Sequence, residues 1–144
     1  MAKAKLFFVG IKGLIENDEG EILLLQADVT KHRGVDKPYW DIPGGRIDEG
    51  EDDVVKTLKR EIREETGITK ISRLAFFTAV ISNHQIPLES DKKAGLVLMI
   101  YKVSVPGDSE VILSKEHIAH EWVSRVEAKK RLAHKYPKEF TDSL

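Results

Sequence analysis

Apolar and polar positions follow distinct periods along this chain, and each period predicts a different element. Leu6, Phe7, Phe8, Val9, Ile11, Leu14 and Ile15 mark a strand over Lys5 to Glu16. Asn17-Asp18-Glu19-Gly20 is a turn signal, and Ile22 to Leu25 place the returning strand of a hairpin over Glu21 to Gln26. Ala27 to Pro38 reads as a polar loop with Lys31, His32, Arg33 and Lys37. Its basic cluster is either a phosphate contact or a plain solvated loop. Tyr39 to Ile42 is a short apolar run into Pro43-Gly44-Gly45, and Arg46-Ile47 continues as a short strand.

The period then changes. Val55, Leu58 and Ile62 recur at helical spacing and predict a helix from about Asp53 to Thr66. Asp52 or Asp53 can cap it, and Gly67 suits the left-handed residue just past its end. Thr69 to Ser82 reads as a strand bent near Arg73, and Asn83 to Ala94 as a loop carrying His84 and Glu89. Gly95 to Val105 is nearly continuously apolar, which predicts a central strand covered on both faces. A short strand is expected over Glu110 to Leu113 and a last one over Glu121 to Val123. Ser124 to Glu127 is a capping box opening a second helix through about His134, with Val126, Leu132 and Ala133 on its apolar side. Phe140 and Leu144 are expected to pack a final turn back on the body.

Strands on both sides of a helix, with another helix at the end, predict an α/β fold: a mixed sheet between two helical layers, residues 1–144 forming one domain. With 144 residues, 41% of them hydrophobic and 33% charged, the chain is long and apolar enough for a real core. A net charge of −1 gives no field to draw nucleic acid or anionic membrane, so neither is expected as a partner. With no cysteine, disulfides and thiolate metal sites are excluded. Lys3 and Lys5 before the apolar run faintly suggest a signal peptide, but Gly10, Lys12 and Gly13 break it, so a strand and a cytoplasmic location are the expectation.

The chemistry sits on the first helix. Glu61, Glu64 and Glu65 stand at i, i+3 and i+4, so they crowd one face beside the apolar stripe. Such neighbours repel by a few tenths of a kcal/mol per pair. A charged helix face is most simply a solvated one, but carboxylates converging at a seam suit a hard divalent cation such as Mg²⁺ or Mn²⁺. Gly44-Gly45 leaves backbone free to approach a ligand, with an uncrowded carbonyl as a further oxygen donor.

In this context Gly45, Glu51, Arg60, Glu61, Ile62, Glu64, Glu65, Gly67 and Ile68 resemble the Nudix box, G-x5-E-x7-R-E-U-x-E-E-x-G-U with U aliphatic. Trp40-Asp41-Ile42-Pro43-Gly44 is similar to the usual lead-in. Eight residues, Asp52 to Lys59, separate Glu51 from Arg60 where the pattern has seven, so Asp52 competes for the place of Glu51. The resemblance implies a Nudix-type α/β/α sandwich and a Mg²⁺-dependent hydrolase that cleaves a pyrophosphate bond in a nucleoside diphosphate linked to another moiety. A nucleoside triphosphate, ADP-ribose and a nucleotide sugar stay open as substrates. Downstream, Asn83, His84 and Ile86 replace the tyrosine or proline that would suggest dinucleoside polyphosphates or ADP-ribose.

The same resemblance implies Glu61, Glu64, Glu65 and Gly45 as metal ligands, and Arg60 as an orienting salt-bridge partner. Glu64, Glu65 or a distant carboxylate is the general base, with Glu116 ahead of Glu89 and Glu121. Arg46, Trp40 and His84 are assigned to the substrate, Trp40 with core packing as the stronger alternative. His117 and His120 are expected at the surface or in packing. A small-molecule nucleotide is the implied partner, and a homodimer is compatible with family habit. The rival readings are a ligand sensor without turnover and a scaffold whose helix is merely charged.

Overall fold

The structure is a computed structural model that describes residues 4–28, 30, 37–89 and 91–144. Its element order is β1 Phe7–Glu16, β2 Ile22–Ala27, β3 Trp40–Asp41, β4 Gly44–Arg46, α1 Val54–Thr66, β5 Arg73–Ile81, β6 Ile86–Pro87, β7 Lys93–Ser104, β8 His117–Val123, α2 Arg125–Leu132 and α3 Lys138–Thr141. The basic cluster Lys31, His32 and Arg33 lies outside the described residues.

β1 is the axis of the sheet. It runs parallel to β7 from Phe7↔Gly95 to Glu16↔Ser104, and Gly10 to Ile15 are all buried. β7 in turn pairs antiparallel with β5, so the near-continuous apolar run of β7 does occupy an interior position. β2 leaves β1 through the Asn17–Gly20 turn, where the Asn17 side-chain oxygen accepts from the backbone N–H groups of Glu19 and Glu21. Along one edge β2 pairs with β8; its other edge is shared between β1 at Glu16↔Ile22 and β3 at Leu25↔Asp41.

β1 and β2 diverge beyond their hairpin, and the segment from Trp40 to Arg46 fills the gap. β3 joins β2, while β4 joins β1 through Gly10↔Arg46, Ile11↔Gly45 and Lys12↔Gly44. Backbone bonds from Gly13 N–H to Pro43 O (2.8 Å) and from Ile47 N–H to Val9 O (2.8 Å) lock the insertion. This wedge brings the two glycines beside the middle of β1.

Two cores flank the sheet. Leu58 and Ile62 of α1 pack with Ile11, Ile15, Leu23 and Leu25 on one face. Ala128 and Leu132 of α2, with Tyr136 and Phe140, pack with Leu14, Leu24, Leu98 and Ile100 on the other. The molecule is thus the expected three-layer α/β/α sandwich with a mixed sheet.

α1 begins where Asp53 caps it, its Oδ1 accepting from the N–H groups of Val55 (3.0 Å) and Lys56 (3.1 Å). It ends at Gly67, whose φ of 73° is the left-handed conformation and whose N–H reaches Arg63 O. Several expectations need correction. β5 starts only at Arg73, and its irregularity lies between Phe76 and Thr78. The loop from Asn83 contains β6, a short extension paired to β7. No strand forms over residues 110–113; Ile112 and Ser114 instead donate to the carbonyls of Thr66 and Glu65, the unpaired end of α1. Around α2 Leu132 is buried as expected, but Val126 and Ala133 are exposed and Ala128, one turn before Leu132, is buried in their place. Ser124 does cap α2, but Glu127 bonds Arg131 rather than closing the box.

Candidate functional site

A cleft of about 890 Å³ opens along the wedge. Its walls come from α1, from β4, from the segment before β8 and from the turn after α2.

α1 contributes Arg60, Glu61, Glu64 and Glu65, and all four line the cleft. The helix rotation that buries Leu58 and Ile62 also carries Glu65 inward, to 5% exposure. Glu65 Oε2 accepts from the Gly44 N–H at 2.7 Å. Burial raises its carboxyl to about 8, against the pull of Lys12 and of the Gly44 N–H. Glu61 lies against Gly45: a β-carbon there would stand 2.7 Å from its carboxyl carbon. Burial raises the Glu61 carboxyl too, with Arg60 opposing. Gly44 has φ of 145°, and a β-carbon there would meet Ile11 O at 2.0 Å. Gly44 is therefore required by its backbone geometry, whereas a side chain at Gly45 would displace the Glu61 carboxylate.

Arg60 ties the carboxylates together. Its guanidinium donates to Glu51 Oε2 (2.9 Å), Glu61 Oε1 (3.1 Å) and Glu64 Oε2 (2.9 Å). Glu51, not Asp52, is the residue Arg60 reaches. Glu51 also accepts from Asp48 N–H and Thr57 Oγ1, and these bonds with Arg60 hold its carboxyl down near 2. Glu51 to Asp53 lie in the loop before α1, which opens only at Val54.

These groups fit a hard divalent cation by their chemistry. Glu61 and Glu65 carry the cost of burial, and the site is stripped of side chain at Gly45. Glu61, Glu64, Glu65 and the Gly45 carbonyl are the oxygens that could hold it. The three carboxylates do not converge on one point. Among the described residues no three acidic or histidine side chains form a ready centre, because Arg60 holds Glu64 outward and the Gly44 N–H holds Glu65.

Of the carboxylates outside α1 considered as bases, Glu116 lines the cleft, whereas Glu121 bonds Arg131 and neither it nor the exposed Glu89 reaches the lining. Arg46 lines it as well, its guanidinium 4.7 Å from the Phe8 ring centroid. His84 lines it, edge-on to Tyr39 at 5.1 Å, and burial lowers its imidazole to about 4, so it is neutral near pH 7. His117, expected at the surface or in packing, also reaches the lining. Trp40 does not. It packs on the core beneath Arg131, 4.9 Å away, because alternation along β3 turns Asp41 rather than Trp40 toward the cleft.

Sequence reading missed the residues at the cleft's inner wall. Lys12 and Lys135, both 7% exposed, converge on Asp41 Oδ2 at 3.0 and 2.6 Å. The Tyr136 hydroxyl (2.5 Å) and Ile42 N–H (2.8 Å) complete the shell on Asp41 Oδ1. Burial works against the Asp41 carboxylate, but Lys12 and Lys135 outweigh it and hold the group ionised well below the usual range. Burial pulls Lys135 down to about 8, whereas Asp41 and Glu65 keep Lys12 raised despite its burial. One signal was available in the sequence: a lone lysine inside the apolar run of β1 demands a buried partner.

Comparison with known proteins agrees with this architecture. Residues 7–144 match a family model described as NUDIX domain. The asymmetrical bis(5′-nucleosyl)-tetraphosphatase of Rattus norvegicus is 33% identical over 79% of this chain and 71% of its own length. A putative 8-oxo-dGTP diphosphatase of Bacillus subtilis is 31% identical over 77% of this chain and 62% of its own. Among solved structures, a MutT protein from Methanosarcina mazei superposes with a TM-score of 0.65 at 27% identity, covering 98% of this chain and 92% of that one.

Proposed function

Because the chain belongs to the Nudix hydrolase family, we propose that it hydrolyses a phosphoric anhydride in a nucleotide with the help of Mg²⁺ or Mn²⁺ held at α1. The reading takes residues 1–144 as one catalytic domain. The observation that carries it is the pair of buried carboxylates, Glu61 and Glu65, set against Gly45 and Gly44 at a wide cleft. A pyrophosphate is anionic and would be repelled by these groups alone. A bound divalent cation would supply the missing positive charge, polarise the attacked phosphorus and activate water.

The chain's own residues then have distinct tasks. Arg60 orients Glu51, Glu61 and Glu64 through its charged hydrogen bonds. The Gly44 N–H aims Glu65. Arg46 reaches the cleft as a cation for substrate phosphate. Glu116, on the wall contributed by the segment before β8, is our candidate for taking the proton from the attacking water.

Similarity to a dinucleoside tetraphosphatase and to a putative 8-oxo-dGTP diphosphatase supports nucleotides with an extended phosphate chain as the substrate class. The test is Glu64→Gln. Turnover of nucleoside polyphosphates in Mg²⁺ is expected to fall by about 100-fold or more while the fold survives; near-full activity would refute the assignment. The sensor reading draws on the outward position of Glu64, and nucleotide binding without phosphate release by the wild-type chain would favour it.

A further inference from the structure

Next to the acidic face of α1 the cleft has a second chemistry. Gly10 of β1 and Leu96 and Leu98 of β7 give it an apolar surface. A β-carbon at Gly10 would stand 2.9 Å from Leu98 Cδ2, so this surface is kept flat. The rings of Tyr39 and neutral His84 stand beside it, and Lys12 and Lys135 border it.

The hydrogen-bond account of the two lysines does not close among the described residues. Asp41 is saturated by Lys12, Lys135, Tyr136 and the Ile42 N–H. An ammonium has three N–H groups and accepts nothing. Lys12 uses one on Asp41 and one on Ile42 O, and Lys135 uses one on Asp41. Both lysines are only 7% exposed at the cleft wall, and Lys135 Nζ otherwise faces the rings of Tyr39 and Tyr136 at 5.7 and 6.0 Å, so an unmade bond there is costly. What completes them must carry acceptors.

A phosphate is the weaker candidate. Asp41, which accepts from both ammoniums, offsets one of their two charges. An apolar floor and aromatic sides offer a hydrated dianion nothing, but they suit a flat ring. On a purine, a 6-carbonyl places two acceptors, O6 and N7, on one edge, whereas adenine puts an amino donor in the place of O6. A lysine facing that amino group would oppose donor to donor.

We propose that Lys12 and Lys135 form a donor-only edge that selects nucleotides with a 6-carbonyl purine, guanine or hypoxanthine, over those with adenine. The proposal rests on the hydrolase reading for the placement of the phosphates at α1.

Inosine and adenosine 5′-diphosphates share ribose and phosphates, so the ratio of their Kd values isolates the base. Titration calorimetry of the full chain with Mg²⁺ is expected to show inosine diphosphate bound roughly 10- to 100-fold more tightly. Lys135→Met is expected to bring the ratio to within about threefold of one. Equal binding by the wild-type chain, or failure to bind either nucleotide, overturns this proposal; the hydrolase reading falls separately, if no nucleoside polyphosphate is turned over in Mg²⁺. A Lys135→Met chain that keeps the preference, or that weakens both nucleotides alike, also overturns it. Should thermal melting show that variant unfolded, Lys12→Met and the wild-type ratio decide the matter by the same criteria.

Discussion

At the scale of single residues, two positions are set by what surrounds them rather than by their own preferences. Gly45 leaves room for the Glu61 carboxylate, which a β-carbon would crowd at 2.7 Å. Gly45→Ala is therefore expected to leave stability nearly unchanged but to weaken Mg²⁺ by about 10-fold or more, as displaced metal-site support does. The metal dependence of turnover measures this. Asp41 is the shared anion of two buried ammoniums. Asp41→Asn strands both and is expected to cost about 3–5 kcal/mol in urea unfolding. The pH dependence follows from the sign of the shift. The folded carboxyl lies below its ordinary value of 3.8, so its stabilisation is fully present above that value and lost as pH falls through the folded one. The wild-type chain should lose stability on that acid limb, and the Asn variant should lack this contribution to it.

At the scale of elements, α1 was the most legible part of the chain. Its apolar stripe, its Gly67 stop and a cap at Asp52 or Asp53 are local signals, and the structure selects Asp53. Gly67 holds φ of 73°, while a β-carbon there would meet Ile112 at an ordinary contact distance of 3.4 Å. Gly67→Ala should thus cost about 1–2 kcal/mol through backbone conformation alone. Thermal melting would show it. The segment at residues 110–113 was misread for the opposite reason. Glu110, Val111, Ile112 and Leu113 look like a strand, but whether they pair depends on which open hydrogen-bonding groups lie nearby. The free carbonyls of α1 are nearest, and they take the N–H groups of Ile112 and Ser114. Trp40 and Asp41 make a similar case. A two-residue strand has no period, so the face each side chain takes was invisible until β3 was paired to β2.

At the scale of the whole molecule, the cleft depends on both cores. Phe140 is fully buried, 4.9 Å from the Tyr136 ring and 6.4 Å from Phe77. Tyr136 and Lys135 hold Asp41 from the α2 side, while Lys12 holds it from the sheet. Phe140→Ala is expected to cost about 3–5 kcal/mol and to loosen this wall. Urea unfolding reads the first effect, and weakened nucleotide binding by the refolded variant reads the second.

The sequence alone determined what depends on neighbours a few residues apart: the strands flanking α1, the α/β class, the caps, and the acidic face of α1 with its glycine-rich approach. Local periodicity and backbone sterics are enough for these, because the interacting groups are joined by short stretches of chain. Tertiary structure decided the rest. It wedged Trp40–Arg46 between β1 and β2, turned Glu65 toward Gly44, and joined Asp41 to Lys12 and to Lys135 across separations of 29 and 94 residues along the chain. A buried charge declares in sequence that it needs a counterpart, but only the folded sheet can say which distant residue answers it.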